Sequence, residues 1–248
     1  MKPTVGSVVK LPKLKSEDYN ESNDIARTLA EKTRSLRLYA LKTAPDAFAS
    51  SYEDEVQRDL THTLDRLGTH NAAHFFAVDR AIDPWAEKRH NEFFAELFSA
   101  KFVGSMVIVG PLARESFSAK KGPLSVGADR DSTRGKEPSS EPSHYILNGT
   151  FVDPEARRSG FGRRLIEAAL ATGQEDASNR GYDFLCTVLV DSENVAAQAL
   201  YEKAGFSVSG EEKYVQRPRA QMGESKSAEG VAIKLELRRA LAAESKAL

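Results

Sequence analysis

Four arginines and two glycines stand within eight residues of this sequence, Arg157-Arg158-Ser159-Gly160-Phe161-Gly162-Arg163-Arg164. A helix that begins at Ser159 or Gly160 turns bare backbone N–H groups and the positive end of its dipole toward that segment. Gly160 and Gly162 carry no Cβ, so a phosphate group can approach the main chain closely. One charge at an exposed helix end contributes only about 0.3–1 kcal/mol. Several N–H donors acting with several guanidiniums can hold a pyrophosphate. The plainer alternative is a helix capped by Ser159 with arginines on its surface. Two nucleotide motifs fit poorly. A dinucleotide fingerprint needs G-x-G-x-x-G directly after its strand, whereas seven residues separate Val152 from Gly160 and Leu165 replaces the third glycine. A P-loop needs a Gly-Lys-Ser/Thr ending, which this chain lacks.

A second constellation follows at Asn194-x-x-Ala197-Gln198-x-Leu200-Tyr201, closed by Gly205-Phe206. At helical spacing Asn194, Ala197, Gln198 and Tyr201 share one face. Asn194 can cap the helix, and Gly205 with Phe206 makes a left-handed stop followed by an apolar contact. Tyr201 is either a proton donor with an ordinary pKa of about 10 or a core aromatic. The elements that must carry these residues read in order. His144–Val152 is an apolar strand, Asp153-Pro154 a turn, and an Ala/Leu-rich helix follows the glycines. A strand from Asp183 to Val190 and the helix from Asn194 complete a βαβ unit with one helix added.

Arg157 to Gly162 fits the R/Q-x-x-G-x-G/A signature of the GNAT superfamily of N-acetyltransferases, and Asn194 to Phe206 resembles that superfamily's later motif at the expected distance. The resemblance spans roughly Val5 to Leu237, with its specific motifs inside residues 144–206. It implies an α/β (α+β) fold: a central mixed, mostly antiparallel twisted sheet of 6–7 strands, with a V-shaped splay between two parallel strands and about four flanking helices. It implies acetyl-CoA as co-substrate, and attack by a primary amine on the thioester in a ternary complex. It puts the phosphates at Arg157, Arg158, Ser159, Gly160, Phe161, Gly162 and Arg163, and the pantetheine along the backbone of Phe151 and Val152. Asn194, Ala197 and Lys203 belong to the same cofactor side, and Tyr201 stands near the sulfur as acid for the leaving thiolate. Asn194 and Tyr201 are thus the expected catalytic pair. The acceptor side is implied to hold Phe48, Tyr52, His144, Asn148 and Tyr214, with Arg217 and Arg219 nearby. Many members use a Glu on the strand before the glycine turn, and this chain has none between His144 and Val152. His144, Asn148 through a water, and Asp191 are the candidate bases. A non-catalytic acyl-CoA sensor or scaffold is the alternative.

The remaining sequence sets bounds. A formal charge of −1 in 248 residues speaks against a nucleic-acid partner. No apolar run approaches a membrane span or a signal peptide. Cys186 is the only cysteine and lies in an apolar strand, so it reads as a core residue in a reducing, cytoplasmic protein. His62, His70, His74 and His90 show no metal-site spacing, so no metal is expected. The partners expected are acetyl-CoA and a small-molecule or peptide amine, with a homodimer among the possible assemblies. Residues 4–238 read as one domain. Its strands are expected at Thr4–Leu11, Ala73–Asp79, Phe102–Val109 and Val231–Leu237, with another starting at Ser207–Ser209 before a polar stretch at 211–230. Helices are expected from the Ser22-Asn23-Asp24 cap to Thr43 and over Glu53–Leu67. An insertion at 80–100, with Trp85, Phe93, Phe94, Leu97 and Phe98, covers a core edge. Residues 113–143 read as a disordered excursion and 239–248 as a frayed tail.

Overall fold

The computed structural model describes residues 6–15, 18, 20, 22–82, 90–112, 141–216 and 228–241. Trp85, Arg217, Arg219, most of the tail and nearly all of the 113–143 segment lie outside them. Seven strands form one sheet: β1 Ser7–Lys10, β2 Ala72–Val78, β3 Phe102–Val109, β4 Ser143–Val152, β5 Phe184–Asp191, β6 Ser207–Gln216 and β7 Ala228–Arg239. Their order is β1-β2-β3-β4-β5-β7-β6. Every pairing is antiparallel except β4 with β5. Among the described residues six α-helices flank it: α1 Asp24–Thr43, α2 Tyr52–Val56, α3 Leu60–Leu67, α4 His90–Ser99, α5 Phe161–Asn179 and α6 Val195–Lys203.

The sheet separates two cores, and strand alternation feeds both: Phe75 enters one and its neighbour Phe76 the other. On one face α5 lays Phe161, Leu165, Ile166, Ala169 and Leu170 against Phe75, Met106, Leu147, Cys186 and Val188. Gly173 lets the helix come this close, since a Cβ there would sit 2.6 Å from Ile108 Cδ1 and 2.8 Å from the Phe184 ring. On the other face α1, α3 and α4 bury Leu29, Leu36, Leu64, Phe94 and Leu97. The insertion's Phe94 and Leu97 therefore do cover the core.

Two expectations are corrected. The helix expected over Glu53–Leu67 is two helices, because Asp59 competes for the backbone: its side chain accepts the His62 N–H at 3.1 Å and starts α3 afresh. The strand expected at Ser207–Ser209 runs on to Gln216 through polar residues, held by the ladder to β7 with Val208 and Val215 exposed on an edge.

Below the second core a buried ion cluster joins α1, α2 and α3. Glu55 Oε1 lies 2.9 Å from Arg37 Nε and 3.1 Å from Arg66 Nη1, and Oε2 lies 3.5 Å from Arg58 Nη1. Burial works to raise the Glu55 carboxyl, but Arg37, Arg66 and Arg58 outweigh it and hold it below the ordinary range. Removing a buried counter-charge leaves cations unpaired, which costs about 3 kcal/mol or more. Glu55→Gln is expected to lower the melting temperature by roughly 6–12 °C, read by scanning calorimetry; an unchanged transition would mean that the cluster does not hold these helices.

Candidate active site

β4 ends at Val152 and the chain turns on Asp153, whose buried carboxylate accepts the Glu155 N–H at 3.0 Å and faces Lys101 Nζ at 3.2 Å. After the single turn Pro154–Ala156, Arg158 takes φ 63° and Gly160 φ 82°, both left-handed, and α5 begins at Phe161. Ser159 does not cap it. Among the described residues no side chain caps α5 and its first turn holds no acid, whereas Asn23, Ser51, Asp59 and Asn194 cap α1, α2, α3 and α6. Arg157, Arg158, Ser159, Gly160 and Arg163 are exposed around that opening, while Phe161 is buried beneath it. The positive end of the helix therefore faces solvent with its donors unmet by side chains.

The glycines and arginines of this turn divide their work. A Cβ at Gly160 would meet nothing within 4 Å, so this residue serves the left-handed bend and the open approach. At Gly162 a Cβ would sit 3.0 Å from Leu200 Cδ2, so the bare Cα there admits α6 against α5, a packing role the sequence did not suggest. Arg157 is tethered to the Val152 carbonyl at 3.1 Å and Arg163 to Glu167 at 2.7 Å. Arg164 leaves the turn altogether: it donates to the Gly6 carbonyl at 2.8 Å and lies over the Phe161 ring.

The parallel pair opens beside this turn. β4 and β5 are laddered only from Ser143 with Phe184 to Ile146 with Thr187, although β4 runs on to Val152 and β5 to Asp191. A bulge centred on Gly149, at φ 62°, shifts the β3–β4 register between Ser105 and Val107. The isolated glycine in Asn148-Gly149-Thr150 was the sequence signal for it. Along the unpaired stretch, Asn148 Nδ2 is buried without a hydrogen-bond partner among the described residues. Thr150 Oγ1 lies 2.7 Å from the Tyr201 hydroxyl, a contact that sequence reasoning missed because fifty residues intervene. Tyr201 is 2 % exposed, with its ring edge-on to Phe206, and burial raises its pKa, so the phenol keeps its proton at neutral pH. Asn194 spends its carboxamide oxygen on the Ala197 N–H at 3.1 Å. Ala197 packs half-buried on the core, and Lys203 is exposed in the last turn of α6.

The expected acceptor-side residues do not all converge. Phe48 is half-buried with its ring 6.5 Å from that of Phe151, which faces the second core. Tyr52 begins α2 and is half-buried. Tyr214 on β6 donates its hydroxyl to Asp191 Oδ2, at the far end of β5. His144 is the exception. It sits where β4 and β5 are still laddered, with Nε2 2.9 Å from Thr187 Oγ1. Seven residue steps along the strand, roughly 23 Å, separate it from Phe151. Burial, then Lys234, push its pKa down to about 4. The structure thus brings Asn148, Thr150 and Tyr201 to the opening and leaves His144 at the closed end. Among the described residues no group of three or more His, Cys, Asp or Glu could hold a metal ion, and no helix is long and apolar enough to cross a membrane.

Comparison with known proteins agrees with this geometry. No curated protein sequence matches the chain significantly. Among solved structures, a GNAT-family acetyltransferase from Streptococcus pneumoniae superposes with a TM-score of 0.52 at 14 % identity, covering 94 % of this chain and all of its own. A putative acetyltransferase from Acinetobacter baylyi gives 0.52 at 13 % identity over 96 % of this chain and 94 % of its own. Arabidopsis thaliana NAA60, in complex with acetyl-CoA, gives 0.50 at 13 % identity over 94 % and 98 %. At such identities these likenesses establish the fold. The sequence profile of the Acetyltransferase (GNAT) family matches residues 54–206. That is more than half of the chain, and it spans the glycine turn, the parted strands and the α6 tyrosine: the protein belongs to the GNAT acetyltransferase family.

Proposed function

We propose that this protein transfers the acetyl group of acetyl-CoA to a primary amine by direct attack in a ternary complex, and that it works in the cytoplasm, where buried Cys186 would stay reduced. The observation that carries the reading is an uncapped helix start beside an unpaired strand edge, with a protonated phenol facing that edge. The residues present suit the co-substrate. The amides of Phe161, Gly162 and Arg163, with Arg157, Arg158 and the Ser159-Gly160 turn, would hold its diphosphate. The β4 backbone at Phe151 and Val152, with Ala197 and Asn194 across the gap and Lys203 beyond, would hold its pantetheine arm. Acetyl-CoA brings the activated thioester, and a relative of the same fold is known with it bound.

The chain's own chemistry is then proton management and orientation. Tyr201 donates its proton to the departing sulfur while the attacking nitrogen gives up its own to solvent, and Thr150, 2.7 Å away, fixes the direction of the Tyr201 hydroxyl. Asn148, with its buried amide group unmet, orients a water or the incoming amine. Phe48, Tyr52 and Tyr214 border the acceptor. With no carboxylate on β4 before the turn, acceptors of low basicity are favoured. An α-amine of pKa about 8 is neutral about one part in ten at pH 7, a lysine amine only about one part in two thousand.

Two measurements test the reading. Tyr201→Phe is expected to lower kcat about 100-fold with the KM for acetyl-CoA nearly unchanged, in a CoA-release assay; an unaltered kcat removes the tyrosine from the reaction. Gly160→Asp places a carboxylate where the diphosphate would lie and meets no neighbour within 4 Å, and Gly160→Asn, which strains the left-handed bend equally without the charge, is its control. The aspartate variant's acetyl-CoA affinity by calorimetry is expected to fall at least about 100-fold, as a repelled diphosphate would. Retained affinity would contradict the phosphate turn, and wild-type binding without turnover on any amine would mark a sensor instead.

A further inference from the structure

On the sheet face covered by α1 and α3, a cavity of about 60 Å³ lies between the helices and the strands. It reaches from Gly149 and Phe151, at the β4 bulge, to Arg37 and Arg66. That end of the cavity is cationic. Glu55 supplies one negative charge to three guanidiniums, those of Arg37, Arg58 and Arg66. Burial and neighbouring Arg37 push Arg66 down to about 10, against the pull of Glu55, so it stays charged at neutral pH. No carboxylate among the described residues lines the cavity. His74 on its wall adds no charge, because burial lowers its pKa to about 4. Its Nε2 faces the Arg66 carbonyl at 3.1 Å, which makes that nitrogen the protonated one. Arg34, also on the wall, gives its Nη2 to the carbonyls of Val56 and Arg58.

Donor capacity remains for a ligand. A guanidinium has five N–H groups. Ser50 engages one of them on Arg37, whose Nε faces Glu55 as an ion pair at 2.9 Å, and Glu55 engages one on Arg66. Thr33 Oγ1, on the same wall, is buried with no hydrogen-bond partner among the described residues. A cavity needs at least about 10–15 Å³ to hold one water, so this one has room for a few waters or a small carboxylate. Arginine pairs planar carboxylates with two parallel N–H bonds, and a second carboxylate would offset the burial cost of the surplus cations.

Building on the acetyltransfer reading, we propose that the acceptor is a carboxylate-bearing amine, its carboxylate seated against Arg37 and Arg66 and its amine at the β4 bulge. Arg37 and Arg66 are then specificity-determining residues. A polyamine or a lysine-type amine with no acid would bring positive charge to a positive wall, and is disfavoured.

The test is CoA release by the wild-type protein with ω-amino acids of two to five carbons, each beside its carboxamide, together with a polyamine, all compared per neutral amine because these amines differ in basicity. The acids are expected to show kcat/KM at least about tenfold above their amides, equivalent to about 1.4 kcal/mol, with one chain length preferred. In Arg66→Gln that ratio is expected to fall toward one through a higher KM for the acids. Its melting curve reports whether it folds; if it does not, the wild-type panel alone decides. Turnover that favours amides or the polyamine overturns this inference and leaves acetyltransfer standing. A selectivity ratio that persists in a folded Arg66→Gln removes the arginines. No CoA release with any amine overturns both readings together.

Discussion

The arrangement depends on where one hydrogen-bond ladder stops. β4 and β5 are joined only as far as Ile146 and Thr187. Beyond that point each strand keeps its other neighbour: β4 stays on β3 and β5 stays on β7. The sheet therefore divides without unravelling. A bulge at Gly149 bends β4 and adds local twist, which carries the strand away from β5. Backbone groups facing the gap have lost their ladder partners, and such groups are costly unless water or a ligand meets them. Asn148, Thr150 and Tyr201 lie along the gap.

The start of α5 shows the same willingness to leave donors unmet. A Ser, Thr, Asp or Asn cap typically contributes about 1 kcal/mol to a helix, and four helices here use one. At α5 that contribution is absent, and two consecutive bends, at Arg158 and Gly160, are left-handed. For a non-glycine residue such a bend costs roughly 1–2 kcal/mol. The strain persists because the rest of the helix over-determines its position: seven of its residues are buried, and Gly173 and Gly162 permit close contact with the sheet and with α6. Packing far along the helix thus offsets a local loss at its tip, where the anion site would be.

Much of this was legible in the sequence wherever the signal was local. The glycine turn, the Asn194 cap, the Gly205-Phe206 stop and the apolar strands declare themselves by spacing and periodicity. β6 did not, since Glu211, Glu212 and Lys213 have no apolar alternation and are strand only because β7 lies beside them. The division of Glu53–Leu67 was hidden because a helical pattern runs through Asp59, whose competing hydrogen bond leaves no periodic trace. Long-range partners were hidden as well. Nothing near Arg37 points to Glu55 or Arg66, and nothing near Tyr201 points to Thr150. His144 was a fair candidate by type; its position on the laddered part of β4, set by the strand register, is what removes it from the opening.

Two positive regions on opposite faces of one sheet raise a problem of discrimination that charge alone does not solve. The α5 turn is open, its arginines exposed to solvent and screened by salt over about 8–10 Å. Such a surface attracts any polyanion and favours a large, multiply charged group that several amides can embrace at once. The Arg37–Arg66 wall lies in a cavity of about 60 Å³ beside a buried carboxylate. There the effective dielectric is lower, each contact is stronger, and a bulky or strongly hydrated anion must shed water it has no room to keep. Volume and dehydration, more than the sign of the charge, would therefore sort a diphosphate to one face and a carboxylate to the other.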